Sequence, residues 1–313
     1  MLPLSRLGLG TAPLGGLYEP VSDKEAYAVV DRAWELGLRF FDTAPHYGSG
    51  LAERRLGAAL RERAREQFVI STKIGRLLRP GAPDPVFRGA PACASVFDFS
   101  YEGALRSLDE SLERLAIERV DIALIHDPDD HWRDAIDGAW PALERLRSEG
   151  VIGAVGAGMN QSAMLTRFVR ETTMDAVLLA GRYTLLEQGA LADLLPACLE
   201  RGVAVFVGGV MNSGLLADPR PGATFNYAPA PPALIDRARR IGEVCARYDV
   251  PLRAAAMQFP MAHPAVASLV AGVRTAAHLD EYPLLLERPI PGDLWAELRA
   301  NGLIDRDAPV PLA

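Results

Sequence analysis

Residues 120–158 read VDIALIHDPDDHWRDAIDGAWPALERLRSEGVIGAVGAG. Val120–His126 reads as a strand, with Ile122 to Ile125 apolar on consecutive residues, as a strand covered on both faces must be. A helical pattern over about 132–149 follows and is stopped by Gly150, a residue that helix C-termini prefer. A second apolar run, Ile152–Gly158, comes next. The stretch is therefore strand, helix, strand, with a titratable side chain, His126, placed where the first strand runs out.

The same alternation extends in both directions. Strands are expected at Leu7–Gly10, Arg39–Ala44, Phe68–Lys73, Ala176–Ala180, Val203–Gly208 and Ser268–Gly272. With the two above they make eight. Between them, Ser22 and Glu25 stand at capping-box spacing, and Val29, Val30, Ala33, Trp34 and Leu36 follow as an apolar stripe ended by Gly37. Another helix is expected over Tyr101–Leu115, with Leu105, Leu108, Leu112 and Leu115 on one side. Further helices fall near 162–171, 190–201, 233–248 and 275–287, and a short amphipathic piece surrounds Leu294–Leu298. Eight strand–helix repeats imply an α/β fold, a single (β/α)8 TIM barrel filling residues 1–313 as one domain. A doubly wound open sheet would carry GxGxxG between its first strand and helix. None is present, and Gly156-Ala157-Gly158 lacks the third glycine and sits mid-chain.

Composition narrows the function classes. Hydrophobic residues are 49% of the 313, enough for a large core, and the 23% charged residues argue against wholesale disorder. A net charge of -7 without a block of Lys or Arg excludes nucleic acid as an expected partner. The most basic stretch, Arg54 to Arg65, alternates Arg with Glu and Leu and reads as an exposed helix face. Cys93, Cys198 and Cys245 are odd in number and far apart, which points to a reducing compartment. The opening MLPLSRLGLG has no secretory pattern, and no run of 18 apolar residues exists, so no membrane span is expected and the cytoplasm is the default. No signal for an oligomeric state is readable.

The chemistry collects where strands end. Asp42 ends RFFD, Lys73 ends VISTK and His126 ends IALIH; Tyr47 follows Asp42 by five residues. Each alone is an ordinary turn cap, surface lysine, core histidine or packing aromatic. At consecutive strand ends of a barrel, all four converge on one mouth. A free tyrosine is a sluggish proton carrier at neutral pH, and a nearby ammonium favours its phenolate. Lys73 would supply that charge, Asp42 would hold Lys73, and His126 would orient the reacting oxygen. Such a set moves a proton while a hydride moves to or from carbon, and it needs no metal; no HExxH or other ligand cluster appears. Gly75–Asp98 and Met211–Pro232 are long and Pro/Gly-rich, yet carry Phe87, Phe97, Phe225 and Tyr227, and are expected to cover the mouth.

Phe41-Asp42-Thr43-Ala44-Pro45-His46-Tyr47-Gly48, then Glu53, Ser71-Thr72-Lys73 and His126 resemble the aldo-keto reductase superfamily, over nearly the whole chain. The resemblance implies a (β/α)8 barrel binding a nicotinamide cofactor across its mouth, with the four catalytic positions on Asp42, Tyr47, Lys73 and His126. The wording APHYG, LIHDPDDH and LLAGRYTLLEQ is similar to its aldose 1-dehydrogenase group. That implies a small sugar of the L-fucose, L-galactose or D-arabinose type as substrate, oxidised at C1 to the lactone with Tyr47 as base. His46 and Trp132 are the implied sugar contacts, Trp132 being equally suited to helix packing. Pyridoxal oxidation, general NADPH-dependent carbonyl reduction and a non-catalytic cofactor-binding module are the alternatives. For the cofactor, the resemblance implies Asn160 (after Met159 in place of a serine), Tyr183, and Gly209 and Leu215 of a holding loop. The usual aromatic beneath the nicotinamide falls near Gly208. The positions of two cations for a 2′-phosphate are Gly272 and His278, which favours NAD over NADP, although Arg274 lies close enough to serve NADP.

Overall fold

The computed structural model describes residues 4–311. The apolar runs become strands β1 (Leu7–Gly10), β2 (Phe40–Asp42) and β3 (Val69–Ile74), then β4 (Arg76–Pro80) and β5 (Cys93–Phe97). Next come β6 (Ile122–His126), β7 (Ala154–Met159), β8 (Ala176–Ala180), β9 (Ala204–Gly208), the short β10 (Thr224–Phe225) and β11 (Ala228–Pro229), and β12 (Val266–Gly272). The order β1-β12-β9-β8-β7-β6-β3-β2 closes on itself. All eight expected strands stand in this barrel, so the chain is a (β/α)8 barrel. Every residue of β2, β3 and β6 is buried, the polar Asp42, Ser71, Thr72, Lys73 and His126 included.

The helices are α1 (Asp23–Glu35), α2 (Leu51–Leu60), α3 (Tyr101–Leu115), α4 (Trp132–Asp134), α5 (Trp140–Ser148), α6 (Ser162–Glu171) and α7 (Leu194–Arg201). After them come α8 (Pro232–Arg247), α9 (Leu252–Met261), α10 (Ala276–Glu287) and α11 (Gly292–Ala300). Ser22 caps α1 in a full capping box with Glu25, and Ala26, Val29, Val30 and Ala33 form its buried stripe.

Several expectations need correction. The helix expected over 132–149 is divided by a π turn at Ala135–Ala139, where Gly138 lets the chain pass against Phe99 and Ser100. The buried stripe of α3 runs through Gly103, Ala104, Ser107, Leu108, Ser111 and Leu115, so Leu105 and Leu112 are off its centre. The end of α3 approaches α2 closely, since a Cβ on Gly57 of α2 would fall 2.0 Å from the Leu115 carbonyl oxygen. The stretch 54–65 is not a uniformly exposed face: α2 ends at Leu60, Arg55, Leu56 and Gly57 are buried, and Arg55 reaches Asp23 and the Val21 carbonyl. Residues 75–98 contain an antiparallel β4–β5 hairpin rather than pure loop.

Contacts group the chain into two compact units. The first comprises residues up to Met159 with Thr172–Leu178 and Val270–Asp280; the second comprises Asn160–Glu171, Leu179–Leu269 and the chain from Glu281 onward. The first holds β1 to β7 and the parallel registers Gly10 with Asp42, Asp42 with Ser71, Lys73 with Leu124 and His126 with Gly158. The second has its own core, in which Tyr183, Phe259 and Trp295 are fully buried and neighbouring rings lie 5.5 and 6.2 Å apart. No helix among the described residues is long and apolar enough to cross a membrane.

Candidate active site

Asp42 is the last residue of β2, Lys73 the fifth of six in β3 and His126 the last of β6. All three are buried, at 2%, 1% and 5% exposure, deep enough that the charges of Asp42 and Lys73 cannot rely on water. The pleat explains the arrangement. Ser71 is the register partner of Asp42, and Lys73, two residues on, shares its face. Both therefore reach the same carboxylate: Ser71 Oγ donates to Asp42 Oδ1 at 2.7 Å, and Lys73 Nζ donates to Oδ2 at 2.7 Å. Lys73 also donates to the Thr43 carbonyl at 2.9 Å. Thr72 faces the other way and donates to Glu53 Oε1 of α2 at 2.8 Å, while Arg114 of α3 holds Oε2 at 2.6 Å.

Tyr47 comes from the turn between β2 and α2. Its N–H donates to the Ala44 carbonyl, and its carbonyl accepts from Ala52 at the start of α2. The segment is pinned from the outside by a close backbone crossing. A Cβ on Gly48 would fall 2.2 Å from the Gly15 oxygen, and one on Gly15 would fall 2.7 Å from the Tyr47 carbonyl carbon. Gly48 also has φ +63, so glycine is required there for space and for conformation. Lys73 Nζ lies over the Tyr47 ring, 4.7 Å from its centroid, and the His126 ring stands edge-on to it at 6.0 Å. Asp42, Lys73 and His126 at their strands and Tyr47 in its turn are thus brought together within the first unit.

Burial pushes the Tyr47 phenol above the ordinary tyrosine range. The Lys73 ammonium pulls it back, but the Asp42 and Asp127 carboxylates act against that pull. The expectation that Lys73 lowers this group holds only as a partial effect, because burial outweighs it. Burial alone would depress the Lys73 ammonium; the Asp42 carboxylate and Tyr47 beside it prevail and hold it above the ordinary lysine range. His126 is held well below the usual imidazole value by burial and then by Arg76, Lys73 and His46, so it is neutral at neutral pH. His46 is lowered to about 4 by burial and the Arg76 guanidinium, against the opposing Asp84 carboxylate.

Around these groups the structure adds residues that the sequence reading passed over. Arg76 pairs with Asp127 at 2.7 Å, and Asp127 Oδ2 lies 3.4 Å from His126 Nε2. The signal for Asp127 was its place directly after His126; for Arg76 it was its place three residues after Lys73. Phe87, from the hairpin connection, packs edge-on to His46 at 5.3 Å and tilted against Tyr47 at 6.3 Å. Residues 75–98 thus do lie against Tyr47, as a cover would. Trp132 is buried at the start of α4.

The remaining expected cofactor contacts are dispersed. In the second unit Asn160 is half-buried at the start of the α6 connection, Gly209 is exposed with φ +63 and Leu215 is fully buried. Tyr183 is packed between Phe259 and His263, its hydroxyl buried with no hydrogen-bond partner among the described residues. In the first unit Gly272 and His278 are exposed, and the Arg274 guanidinium is in contact with the Glu19 carboxylate. At the strand ends, Thr11 Oγ1, Thr43 Oγ1 and His126 Nδ1 are buried with no hydrogen-bond partner among the described residues. The assembled groups exchange protons and hydrogen bonds but none can carry a hydride; with polar atoms left over beside them, they fit a bound hydride carrier such as nicotinamide.

The model of the Aldo/keto reductase family matches residues 6–301. The chain is similar to D-threo-aldose 1-dehydrogenase of Pseudomonas sp, with 44% identity covering 97% of this chain and 95% of that one. It is 42% identical to pyridoxal 4-dehydrogenase of Microbacterium luteolum over the same shares. Among solved structures, an aldo-keto reductase from Bacillus halodurans in its holo form superposes with a TM-score of 0.76 at 25% identity, covering 95% of this chain and 92% of that one.

Proposed function

The chain belongs to the aldo/keto reductase family and is an NAD(P)-dependent oxidoreductase, and we propose that it oxidises an aldose at C1 to the lactone with NAD. The observation that carries this reading is a phenol, Tyr47, lying against a buried, charged Lys73 with a neutral His126 edge-on to it. The likeness to a D-threo-aldose 1-dehydrogenase supports an L-fucose, L-galactose or D-arabinose type of substrate. The three free cysteines support a reducing, cytoplasmic setting.

A bound nicotinamide would supply the acceptor for the hydride leaving C1. The chain's own residues handle the accompanying proton. Tyr47 takes it from the C1 hydroxyl, and the Lys73 ammonium stabilises the phenolate needed for that step. Asp42, held at both oxygens by Ser71 and Lys73, keeps the ammonium charged and in place. His126, being neutral, has one ring proton to donate and orients the C1 oxygen without competing as an acid. His46 and Trp132 are assigned to the sugar. Thr11, Thr43, Gly272 and Arg274 are the first-unit residues assigned to the cofactor. NAD is favoured because Arg274, the cation available for a 2′-phosphate, is already engaged by Glu19.

A panel of L-fucose, L-galactose, D-arabinose and pyridoxal oxidations with NAD and NADP, beside reduction of simple aldehydes with NADPH, tests the reading. Aldose oxidation with NAD is the expected leading activity. Leading pyridoxal oxidation or aldehyde reduction with NADPH would replace it, and a protein that binds cofactor yet turns over nothing would be a binding module.

A further inference from the structure

The mechanism leaves unused an ion pair at the edge of the same site. Arg76 opens β4 immediately after Gly75, so its backbone follows the strand that carries Lys73. Its guanidinium carbon lies over the Phe97 ring, 4.3 Å from the centroid. Asp127 directly follows His126. Its N–H donates to the Gly158 carbonyl at 3.1 Å and its backbone is left-handed at φ +46, an uncommon conformation for a residue other than glycine. Oδ2 then sits 2.7 Å from Arg76 Nη2 and 3.4 Å from His126 Nε2. The side chains are 13% and 32% exposed, so the pair is mostly enclosed yet reachable.

Arg76 Nε is buried with no hydrogen-bond partner among the described residues. A buried guanidinium N–H without an acceptor is costly, and such a group in a functional cleft is normally satisfied by what binds there. The pair thus offers an acceptor and a donor side by side, next to the imidazole assigned to the reacting oxygen. Its net charge is near zero, so it has no preference for an anion. Its chemistry suits neighbouring hydroxyls, each of which donates and accepts.

We propose that Arg76 and Asp127 read hydroxyl groups on the carbons next to the reacting carbon and so select polyhydroxylated substrates. Asp127 accepts from one hydroxyl and Arg76 donates to the next. The proposal rests on the reading above only in that hydride exchange takes place beside His126. It makes this ion pair a specificity determinant, whereas a pair that served only to tie β4 to β6 would be indifferent to the substrate.

The test follows reduction of propanal, lactaldehyde and glyceraldehyde, three aldehydes of equal length with zero, one and two hydroxyls, and compares their kcat/KM within each protein. Asp127→Asn retains a residue that tolerates left-handed backbone. Arg76→Lys retains the positive charge but loses the planar fork. The wild type is expected to prefer glyceraldehyde to propanal by at least roughly 30-fold, the order expected for hydrogen bonds to charged groups. Each variant is expected to shrink that ratio about tenfold or more, through KM for glyceraldehyde. A wild-type ratio near one, or a ratio unchanged in both variants because all three aldehydes fall together, overturns the proposal. A wild type that shows the preference and loses it in the variants, but oxidises no aldose, sustains the pair's role and refutes the aldose reading.

Discussion

The Lys73 ammonium lies over the face of the Tyr47 ring, 4.7 Å from its centroid, while the same nitrogen is bound to Asp42 at 2.7 Å. The phenol is consequently near a cation whose charge is already shared. Burial pushes its proton affinity up further than Lys73 brings it down. In the unliganded protein, the difference in phenolate absorbance between wild type and Tyr47→Phe is expected to stay flat until above about pH 10, the ordinary tyrosine value. A titration near neutrality assigned to Tyr47 would contradict this. The same substitution is expected to lower turnover by about 10²–10⁴-fold, the usual share of a general acid–base group, with cofactor affinity within about twofold.

Behind β3, the fully buried Glu53 is held by Arg114 at 2.6 Å and by Thr72 at 2.8 Å. Because Thr72 is flanked by Ser71 and Lys73, this ion pair braces the strand from the side opposite the site. Arg114→Met leaves an uncompensated buried carboxylate and is expected to cost roughly 3–5 kcal/mol in urea unfolding. Glu53→Gln combined with Arg114→Met removes both charges and is expected to recover more than half of that loss. A double variant no more stable than Arg114→Met would show that packing, not the lone charge, sets the cost.

The barrel was legible because several of its strands are covered on both sides and so carry consecutive apolar residues, as in Ile122–Ile125 and Val205–Val207. Asp42, Lys73 and His126 were legible because a polar residue ending such a run is conspicuous. The β4–β5 hairpin was not: Arg76–Pro80 and Cys93–Phe97 are mostly half-exposed and joined by a Pro/Gly-rich connection, so neither two-sided covering nor clean alternation marks them. Helix α9 was missed for the opposite reason. Ala254 to Met257, Phe259 and Pro260 are all buried, leaving no polar face to give a 3.6-residue period. The Arg76–Asp127 pair spans 51 residues and becomes visible only once β3 and β6 are adjacent. The direction of the Tyr47 shift depended on burial competing with charge, and sequence supplies only the charges.

His46 gives the protein a defined acid response. Burial and Arg76 lower it from 6.5 to about 4, so between these values the unfolded chain binds a proton that the folded chain refuses. Its stabilising contribution is therefore complete above about pH 6.5 and is lost as pH falls towards 4, an amount on the order of 3 kcal/mol. His126 and His263 are lowered too and act in the same direction. Urea midpoints measured from pH 7 to 4 should fall for the wild type and fall less steeply for His46→Gln. Parallel profiles would mean that His46 is protonated as readily in the folded as in the unfolded protein.

Glu19 and Arg274 meet at the surface of the first unit, each partly open to solvent. A 2′-phosphate approaching Arg274 must displace the carboxylate or accept it as a neighbour, and either reduces what the guanidinium gives a dianion. A 2′-hydroxyl carries no charge and meets no such penalty. Glu19→Gln is therefore expected to tighten NADP binding about three- to tenfold while leaving NAD within about twofold, the modest scale of exposed charge interactions. Fluorescence titration of both cofactors reads this without turnover, and the gain should shrink at high salt, where screening already weakens the carboxylate. Equal changes for the two cofactors would place Arg274 away from the 2′ position and remove the support it gives to NAD preference.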